Sequence, residues 1–132
     1  MPSPGQEFEN GRSYGQTCPI ARTLDVLGDR WTLLIVRDLF LGRTRYQQFM
    51  EASPGIPARM LSNRLKKLAA HGFIARVIYS EHPLRAEYRL TPLGASLKPV
   101  IIAIASWGLD HRLNPGERKH VRTRLRARGI PV

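Results

Sequence analysis

The sequence predicts a mainly α fold with one small β hairpin. Apolar residues recur at helical spacing in several segments, and most of these segments begin at a capping residue or proline and end at glycine. Two β-branched and aromatic segments on either side of a proline turn predict the hairpin. With 132 residues and 42% apolar content, the chain can bury the core of one domain.

The N-terminal part of the chain predicts an arm followed by a short helix. Residues 1–17 are rich in Gly, Ser, Pro and charge and show no periodicity, so we expect a flexible arm. The first helix opens at Pro19, because proline is tolerated at the first helical position, and it ends near Gly28. Its apolar face comprises Ile20, Leu24 and Leu27.

Two core helices are predicted next. Asp29 can cap the first of them, residues 30–41, which is apolar over more than half of its circumference and ends at Gly42. Its apolar side chains are Trp31, Leu34, Ile35, Leu39, Phe40 and Leu41. Thr44 is the candidate N-cap of the following helix, residues 45–52. The buried side of that helix comprises Tyr46, Phe49 and Met50.

A fourth, basic helix is predicted from Pro57, at its first position, to just before Gly72. Leu61, Leu65 and Leu68 recur at i, i+4 and i+7, so they must face a core. The opposite face carries Arg59, Ser62, Asn63, Lys66 and Lys67. A tight turn separates this helix from the third, which is helix-turn-helix spacing, so the face is predicted to contact bases and phosphates. The alternative is an ordinary amphipathic helix with a solvated basic face.

A hairpin follows, with strands predicted over residues 73–79 and 85–90 and a proline turn over 80–84. Its basic side chains are Arg76, His82, Arg85 and Arg89. Such a ribbon can reach a phosphate backbone or a minor groove, and we favour Arg85 as a contact since arginine suits narrow, negative grooves. A solvated hairpin tip is the alternative. Two candidate backbone contacts outside the hairpin are Arg45 and Arg64.

The last long helix is predicted to begin at Thr91-Pro92, to run to about Arg112, and to bend at Pro99. It carries more apolar surface than one small core can cover, so a second copy of the chain is the simplest partner. The residues predicted to lie in that dimer interface are Ile20, Leu24, Ile102, Ala105 and Leu109.

The net charge of +11 is unevenly distributed. Residues 1–44 are neutral overall, whereas the excess lies in the basic helix, the hairpin and residues 113–132. This distribution favours a face that tracks a polyanion. The C-terminal segment has too little apolar content to fold alone, so we expect an accessory DNA-binding or disordered tail. Charge alone also fits non-specific attraction to any polyanion.

Several classes of protein are disfavoured by what the sequence lacks. The longest apolar segment, residues 100–105, is far shorter than the ~20 residues of a membrane span, which predicts a cytoplasmic protein with no membrane partner. One cysteine permits neither an internal disulfide nor a thiolate metal cluster. The four histidines are scattered, and no catalytic or phosphate-binding motif is present. We therefore expect no enzymatic activity, no metal and no cofactor.

Three successive segments read CPIARTLDVLGDRWTLLIVRDLFLGRTRYQQF, PGIPARMLSNRLKKLAAHGFIARVIY and PLRAEYRLTPLGASLKPVIIAIASWG. In this combination they resemble the HxlR-type winged helix-turn-helix transcriptional regulators of bacteria, relatives of the MarR type. The resemblance implies a winged helix-turn-helix over residues 18–112 with an additional C-terminal dimerisation helix. It implies a homodimer joined through the first and last helices, bound to inverted repeats in double-stranded DNA. A proline at position 99 fits the family, whereas Asp29-Arg30 and the basic tail depart from it.

Cys18 is a candidate sensor. It precedes a helix N-terminus and has Arg22 one turn further on, and both features favour the thiolate form. Some members of the family sense oxidants or electrophiles through a cysteine near this position, so the resemblance suggests an oxidant, quinone or aldehyde as effector. The alternative is that Cys18 is a small buried apolar residue.

Together these features predict a sequence-specific DNA-binding transcriptional regulator, with repression as the commoner mode of action, that acts as a homodimer. The alternative is a non-specific architectural nucleic-acid-binding protein driven by its basic tail.

Overall fold

The computed structural model describes residues 13–132, so most of the predicted arm lies outside the described residues. The helices and strands, in chain order, are α1 Pro19–Leu27, α2 Thr32–Phe40, α3 Tyr46–Ala52, α4 Ala58–Ala70, β1 Ile74–Glu81, β2 Leu84–Leu90, α5 Pro92–Ala95, α6 Lys98–His111 and α7 Pro115–Ala127. The chain forms two compact units, one ending at Ala95 and one running from Ser96 to Val132. The predicted mainly α fold with a hairpin is confirmed.

The first unit has its core where the apolar periodicity predicted it. Ile35 and Val36 of α2 are almost fully buried, as expected of a helix that is apolar around most of its circumference. The other buried apolar residues of this unit are Ala21, Leu27, Leu39, Phe49, Ile56, Leu61, Leu65, Leu68 and Ile74. This core fixes α4 and the hairpin on one scaffold.

The Asp29 carboxylate caps the start of α2 as predicted, but the helix begins at Thr32 and not at residue 30, and Trp31 occupies the N-cap position. The backbone N–H groups of Trp31 and Thr32 donate to Asp29 Oδ1 at 2.8 and 2.9 Å. The carboxylate thereby satisfies two amides that lack partners inside the helix. Thr32 also donates its hydroxyl to Asp29 Oδ2.

The predicted N-cap of α3 is wrong by one residue. Arg45 occupies that position, and the amides of Thr44 and Arg45 both donate to Gln48 Oε1 at 2.9 and 3.0 Å. The Thr44 carbonyl instead accepts a 2.7 Å hydrogen bond from the N–H of Tyr88 in β2. Thr44 therefore anchors the hairpin rather than the helix.

The hairpin is a two-stranded antiparallel sheet in which Ile74 pairs with Leu90 and Arg76 with Tyr88. The register shifts between Ile78 and Ser80, so β1 carries a bulge near the turn. The Tyr88 ring meets Phe49 of α3 edge-on at 6.3 Å between centroids. The base of the hairpin is thus tied to the core, and its tip projects.

The long bent helix predicted after Thr91 is instead two helices, α5 and α6, and Pro99 is the reason. Proline has no N–H to donate to residue 95, and its ring collides with that residue's carbonyl in a continuous helix. The chain breaks at residues 96–97 and restarts, so that Pro99 lies in the first turn of α6, where it is tolerated. Thr91 caps α5 as predicted, because its hydroxyl accepts from the N–H of Gly94 at 3.1 Å.

The second unit contains α6 and α7. Residues 115–127, expected to form part of a tail without a fold of its own, are a helix with marked ends. Asn114 Oδ1 accepts from the Glu117 N–H at 2.8 Å, and Glu117 Oε1 accepts from the Asn114 N–H at 3.0 Å, which is a capping box. At the other end Gly129 has φ +82°, and the Ile130 N–H donates to the Leu125 carbonyl.

Two observations explain why this basic segment folds. Arg118 Nε donates to the Leu109 carbonyl at 2.7 Å, so it satisfies the C-terminal end of α6. Leu109 and Ile130 are each 2% exposed, so apolar contact supports the pair of helices. Composition alone did not predict this helix, because α7 is supported by contacts with α6 and by its own capping residues.

One segment of the described chain, Pro92–His111, is long and apolar enough to cross a membrane by length and composition alone. Uninterrupted apolar runs alone did not predict such a segment. A single segment of this kind is weak evidence for a membrane span, and this one is interrupted between α5 and α6.

The described end of the N-terminal arm is held by α1. The Tyr14 N–H donates to Asp25 Oδ1 at 2.9 Å, and the Ser13 hydroxyl donates to Asp25 Oδ2 at 3.3 Å. Composition did not indicate this contact, since it depends on one buried carboxylate elsewhere in the chain.

Candidate nucleic-acid interface

The basic helix α4 packs as the leucine spacing predicted. Leu61, Leu65 and Leu68 are at most 1% exposed. Pro57 is the N-cap and not the first helical residue, and Gly72 follows the C-cap with φ +80°, a conformation that favours glycine. The helix is therefore fixed by one apolar face, and its other face is available for contact.

The outer face of α4 carries four of the predicted contact residues. Arg59 and Lys66 are exposed, and Ser62 and Asn63 are half-buried between them. All four lie away from the buried leucines, and three of them belong to the first two turns of the helix. A cationic side chain at each end with hydroxyl and amide groups between them suits a surface that meets phosphates and base edges.

Tyr46 positions the start of α4, a role that the sequence analysis missed. Its hydroxyl donates to the Ala58 carbonyl at 3.0 Å and accepts from the Ser62 hydroxyl at 3.4 Å. The periodicity of α3 placed Tyr46 on the buried side, but its ring is only half-buried. The polar end of tyrosine, which needs a hydrogen-bond partner wherever the ring is partly buried, was the available signal.

Two basic residues of α4 that were predicted to contact DNA do not lie on its exposed outer face. The Arg64 side chain is 8% exposed, and its Nε is 3.0 Å from Asp29 Oδ1. The Lys67 side chain is 11% exposed, and its Nζ is 3.9 Å from Asp29 Oδ2. Burial lowers the pKa of Lys67, and the charge of Asp29 opposes this shift. We therefore remove Arg64 and Lys67 from the set of proposed DNA contacts.

The basic residues of the hairpin are divided between its two faces. Paired residues of antiparallel strands share a face, and the side chains alternate along each strand. Arg76 pairs with Tyr88, whereas Arg89 pairs with Ala75, so Arg76 and Arg89 lie on opposite faces. Positions 85, 87 and 89 follow one another at intervals of two along β2, so Arg85 lies on the same face as Arg89. The four predicted residues of the wing therefore do not form one contact surface.

On the hairpin face that carries Arg85 and Arg89, the charge of Arg89 is compensated by Glu87. Arg89 Nε donates to Glu87 Oε1 at 2.9 Å, and this hydrogen bond lowers the pKa of Glu87. Arg85 and the tip residue His82 are exposed. Arg45 is also exposed, with its guanidinium 5.2 Å from the centroid of the Tyr79 ring.

The predicted dimer residues divide into exposed and buried groups. Ile20 and Leu24 of α1 are 71% and 43% exposed. Ile102 and Ala105 of α6 are half-buried, whereas Leu109 is buried within its own chain and is wrong as an interface residue. Helical periodicity could not assign Leu109 correctly because composition predicted no folded α7 to pack against α6. The exposed stripe of α6 consists of Val100, Ile104 and Trp107.

Cys18 is the half-buried N-cap residue of α1. The Nε of Arg22 donates to the Gln16 carbonyl at 3.0 Å. Among residues 13–132, no group of three or more His, Cys, Asp or Glu side chains is arranged to hold a metal ion.

A short helix, a turn, an amphipathic basic helix and a hairpin on one core define the winged helix-turn-helix class of DNA-binding proteins. The HxlR-like helix-turn-helix family model matches residues 26–115, and the chain belongs to this family. Its members are DNA-binding transcription regulators of MarR-like fold. The helix α7 lies almost wholly beyond the matched residues.

Individual relatives agree with this assignment. The HTH-type transcriptional regulator sll1512 of Synechocystis is 42% identical over 96 residues, which cover 73% of this chain and 71% of the relative. The solved structure of PA1607, described as a transcription factor, has 42% identity and a TM-score of 0.69, covering 76% of this chain and 70% of that one. The redox regulator HypR in its reduced form has 34% identity and a TM-score of 0.68, covering 72% and 94%.

Proposed function

We propose that this regulator binds an inverted-repeat operator in double-stranded DNA as a homodimer, and that it acts in the cytoplasm as a repressor. The observation that carries the proposal is the outer face of α4, where exposed Arg59 and Lys66 flank Ser62 and Asn63. Asparagine can read adenine and arginine can read guanine in the major groove, and a lysine farther along the helix can contact phosphate without regard to sequence.

Exposed apolar side chains support the dimer. In the first unit Ile20 is 71% exposed, and in the second unit Ile104 and Trp107 are 50% and 59% exposed. Side chains of this size favour burial by about 1.5–3 kcal/mol each, so a second copy that covers them would be stabilised. Two-fold symmetry would then place two half-sites about one helical turn (~10 bp) apart, or a multiple of it.

Alanine variants of the reading residues test the proposal. Asn63→Ala and Arg59→Ala should each lose about 1–3 kcal/mol of operator binding and relax base preference, because each would remove hydrogen bonds to a base edge. Lys66→Ala should weaken all sequences alike and flatten the dependence of affinity on salt. Titrations on operator and on random DNA at several salt concentrations measure both effects. Equal losses on the two DNAs for Asn63→Ala would contradict base readout.

Oxidation of Cys18 is proposed to alter operator binding. The support is its position at the N-cap of α1, the helix with exposed Ile20, and the similarity of the chain to the redox regulator HypR. Peroxide oxidises a thiolate to a sulfenic acid with release of water, and because the chain has a single cysteine, the sulfenic acid can form a disulfide only with a small thiol or with Cys18 of a second protomer, again with loss of water. A quinone or an aldehyde would modify the same thiol.

The test compares wild type with Cys18→Ser before and after treatment with peroxide. Operator affinity should change in the wild type only, and mass spectrometry should locate the modification on Cys18. If the two proteins respond alike, or if neither responds to peroxide, quinone and aldehyde in turn, Cys18 is not a sensor.

A further inference from the structure

Asp29 joins two structural roles in one carboxylate. Its Oδ1 accepts the N–H groups of Trp31 and Thr32 at the start of α2, and the same atom is 3.0 Å from Arg64 Nε. Its Oδ2 is 3.9 Å from Lys67 Nζ. The carboxylate therefore links the N-terminus of α2 to the side of the recognition helix.

This link divides the four cations of α4 into two pairs. Arg59 and Lys66 are exposed on the outer face. Arg64 and Lys67 are drawn toward α2, with side chains 8% and 11% exposed. Asp29 itself is 20% exposed, so the paired charges are largely shielded from water and interact more strongly than on the surface.

We propose that Asp29 is a positioning residue that limits the number of phosphate contacts made by α4, because it holds Arg64 and Lys67 on the protein and keeps them from the phosphate backbone. The inference rests on the DNA-binding function proposed above and adds a role to a residue outside the reading face. Phosphate contacts increase affinity for every sequence, whereas base contacts increase it for the operator alone. A recognition helix with two of its cations held by an internal counter-ion therefore binds every sequence less tightly, and with a weaker dependence on salt, than one with all four directed at phosphates.

Lys67 is the cation most able to move if Asp29 loses its charge. It has a long unbranched stem that can carry the ammonium group outward while its methylene groups stay packed. Burial lowers the pKa of Lys67 and Asp29 opposes that effect, so loss of the carboxylate makes the inward position less favourable for the charged form. Arg64 lies closer to the leucine face and has less freedom.

Asp29→Asn separates the two roles. The amide oxygen of asparagine can still accept from Trp31 and Thr32, and asparagine is as good an N-cap as aspartate. The amide nitrogen replaces Oδ2 and cannot pair with Lys67. The variant thus keeps the cap of α2 and an acceptor near Arg64 Nε, and it removes the Asp29 charge that faces Lys67, so that Asp25 remains as the other carboxylate acting on Lys67.

The expected result is tighter binding to every sequence and a steeper dependence on salt. Each lysine that reaches a phosphate steepens the plot of log affinity against log salt by about 0.9 and increases affinity for random DNA by roughly 5–10-fold at 0.1 M salt. Asp29→Asn should show both changes for each recognition helix bound, on operator and random DNA alike, so its ratio of operator to random affinity should stay near that of the wild type. The double variant Asp29→Asn with Lys67→Gln should return the salt dependence to that of the wild type.

Two neighbouring single variants provide a test that does not depend on Asp29→Asn. Lys66→Gln should flatten the salt dependence by about 0.9 per helix, whereas Lys67→Gln should leave it unchanged. The inference is overturned if Lys67→Gln flattens the dependence as much as Lys66→Gln does. It is also overturned if folded Asp29→Asn, verified by circular dichroism, keeps the wild-type salt dependence and random-DNA affinity.

Failure of the proposed function gives a different result. Wild-type protein would then bind operator and random DNA with equal affinity, whatever residue stands at position 29. Discrimination by the wild type together with an unchanged Asp29→Asn would reject the role of Asp29 alone.

Discussion

Asp38 shows how burial and ion pairing compete at a single residue. Its side chain is 1% exposed, Arg37 Nε donates to its Oδ1 at 2.9 Å, and Arg43 Nη1 is 3.3 Å from the same oxygen. Burial raises the pKa of Asp38, and the two arginines oppose the shift without cancelling it. The buried carboxylate is thus less favourable in its ionised form than it would be in water.

This direction fixes the sign of a pH-dependent effect. Because the folded-state pKa lies above 3.8, the value for an ordinary aspartate, the folded state binds more protons than the unfolded state between those two values. The contribution of Asp38 to wild-type stability should therefore decrease as pH rises through that window and stay lower above it. Asp38→Asn lacks the titrating group, so its stability relative to wild type should increase from pH 3 to pH 7.

Urea unfolding at both pH values measures the difference. Arg37 and Arg43 are 36% and 33% exposed, so they can turn to water when the carboxylate is absent. Asp25→Asn provides a comparison at another buried carboxylate. A loss of stability for Asp38→Asn that grows toward pH 7 would show that the ion pairs outweigh burial.

At the scale of residues, the sequence could predict which side of α4 is buried but not where every cation goes. The spacing of Leu61, Leu65 and Leu68 is a local property, and it fixed the inner face correctly. Arg64 and Lys67 lie at the margin of that face, and their direction depends on Asp29, which is distant in sequence. Periodicity gives an angle around the helix and carries no information about such a partner.

At the scale of elements, the hairpin is the part of the site that the sequence described least well. Its strands and turn were predicted correctly within a few residues, but the faces of its arginines depend on pairing register and on the bulge. Pro99 is a second example: its effect on a helix was recognised, but whether the helix bends or breaks is decided by packing around it.

Because the basic residues of the hairpin are divided between its two faces, its three arginines should contribute unequally to DNA affinity. Arg85→Ala should weaken operator and random DNA alike and flatten the salt dependence by about 0.9 per wing. Arg89→Ala should have a smaller effect because Glu87 already compensates its charge. Arg76→Ala should also have little effect, since Arg76 is on the opposite face from Arg85.

Affinity measured against salt concentration for the three variants, on one operator fragment, checks this order. All three remove one surface cation, so a general effect of net charge would reduce the salt dependence by equal amounts. Equal losses would mean that the wing attracts DNA only through its total charge.

At the scale of the whole molecule, α7 lies almost wholly outside the part of the chain that the family model matches. Residues 26–115 match the family model, and α7 extends beyond them with exposed Lys119 and Arg124. Because α7 is folded, the alternative function, which is non-specific binding through the basic C-terminus, would use a defined surface. The two functions therefore make different predictions for the same pair of side chains.

Charge reversal tests them better than deletion does. Deleting residues 115–132 would remove Arg118 from the Leu109 carbonyl and expose Leu109, so α6 would be damaged as well. Lys119→Glu with Arg124→Glu changes exposed positions and keeps these contacts. If α4 carries the function, the double variant should lose affinity for operator and for random DNA by a similar factor and keep the wild-type ratio of operator to random binding.

A non-specific binder would lose most of its affinity for both DNAs in the same double variant, and Asn63→Ala would then change little. Competition between labelled operator and unlabelled random DNA measures the ratio directly. The two results differ because base readout is proposed for α4 in the first unit, whereas the basic side chains of α7 in the second unit would supply sequence-independent attraction. Retained operator preference with weakened random binding would therefore assign recognition to α4 and limit α7 to an accessory role.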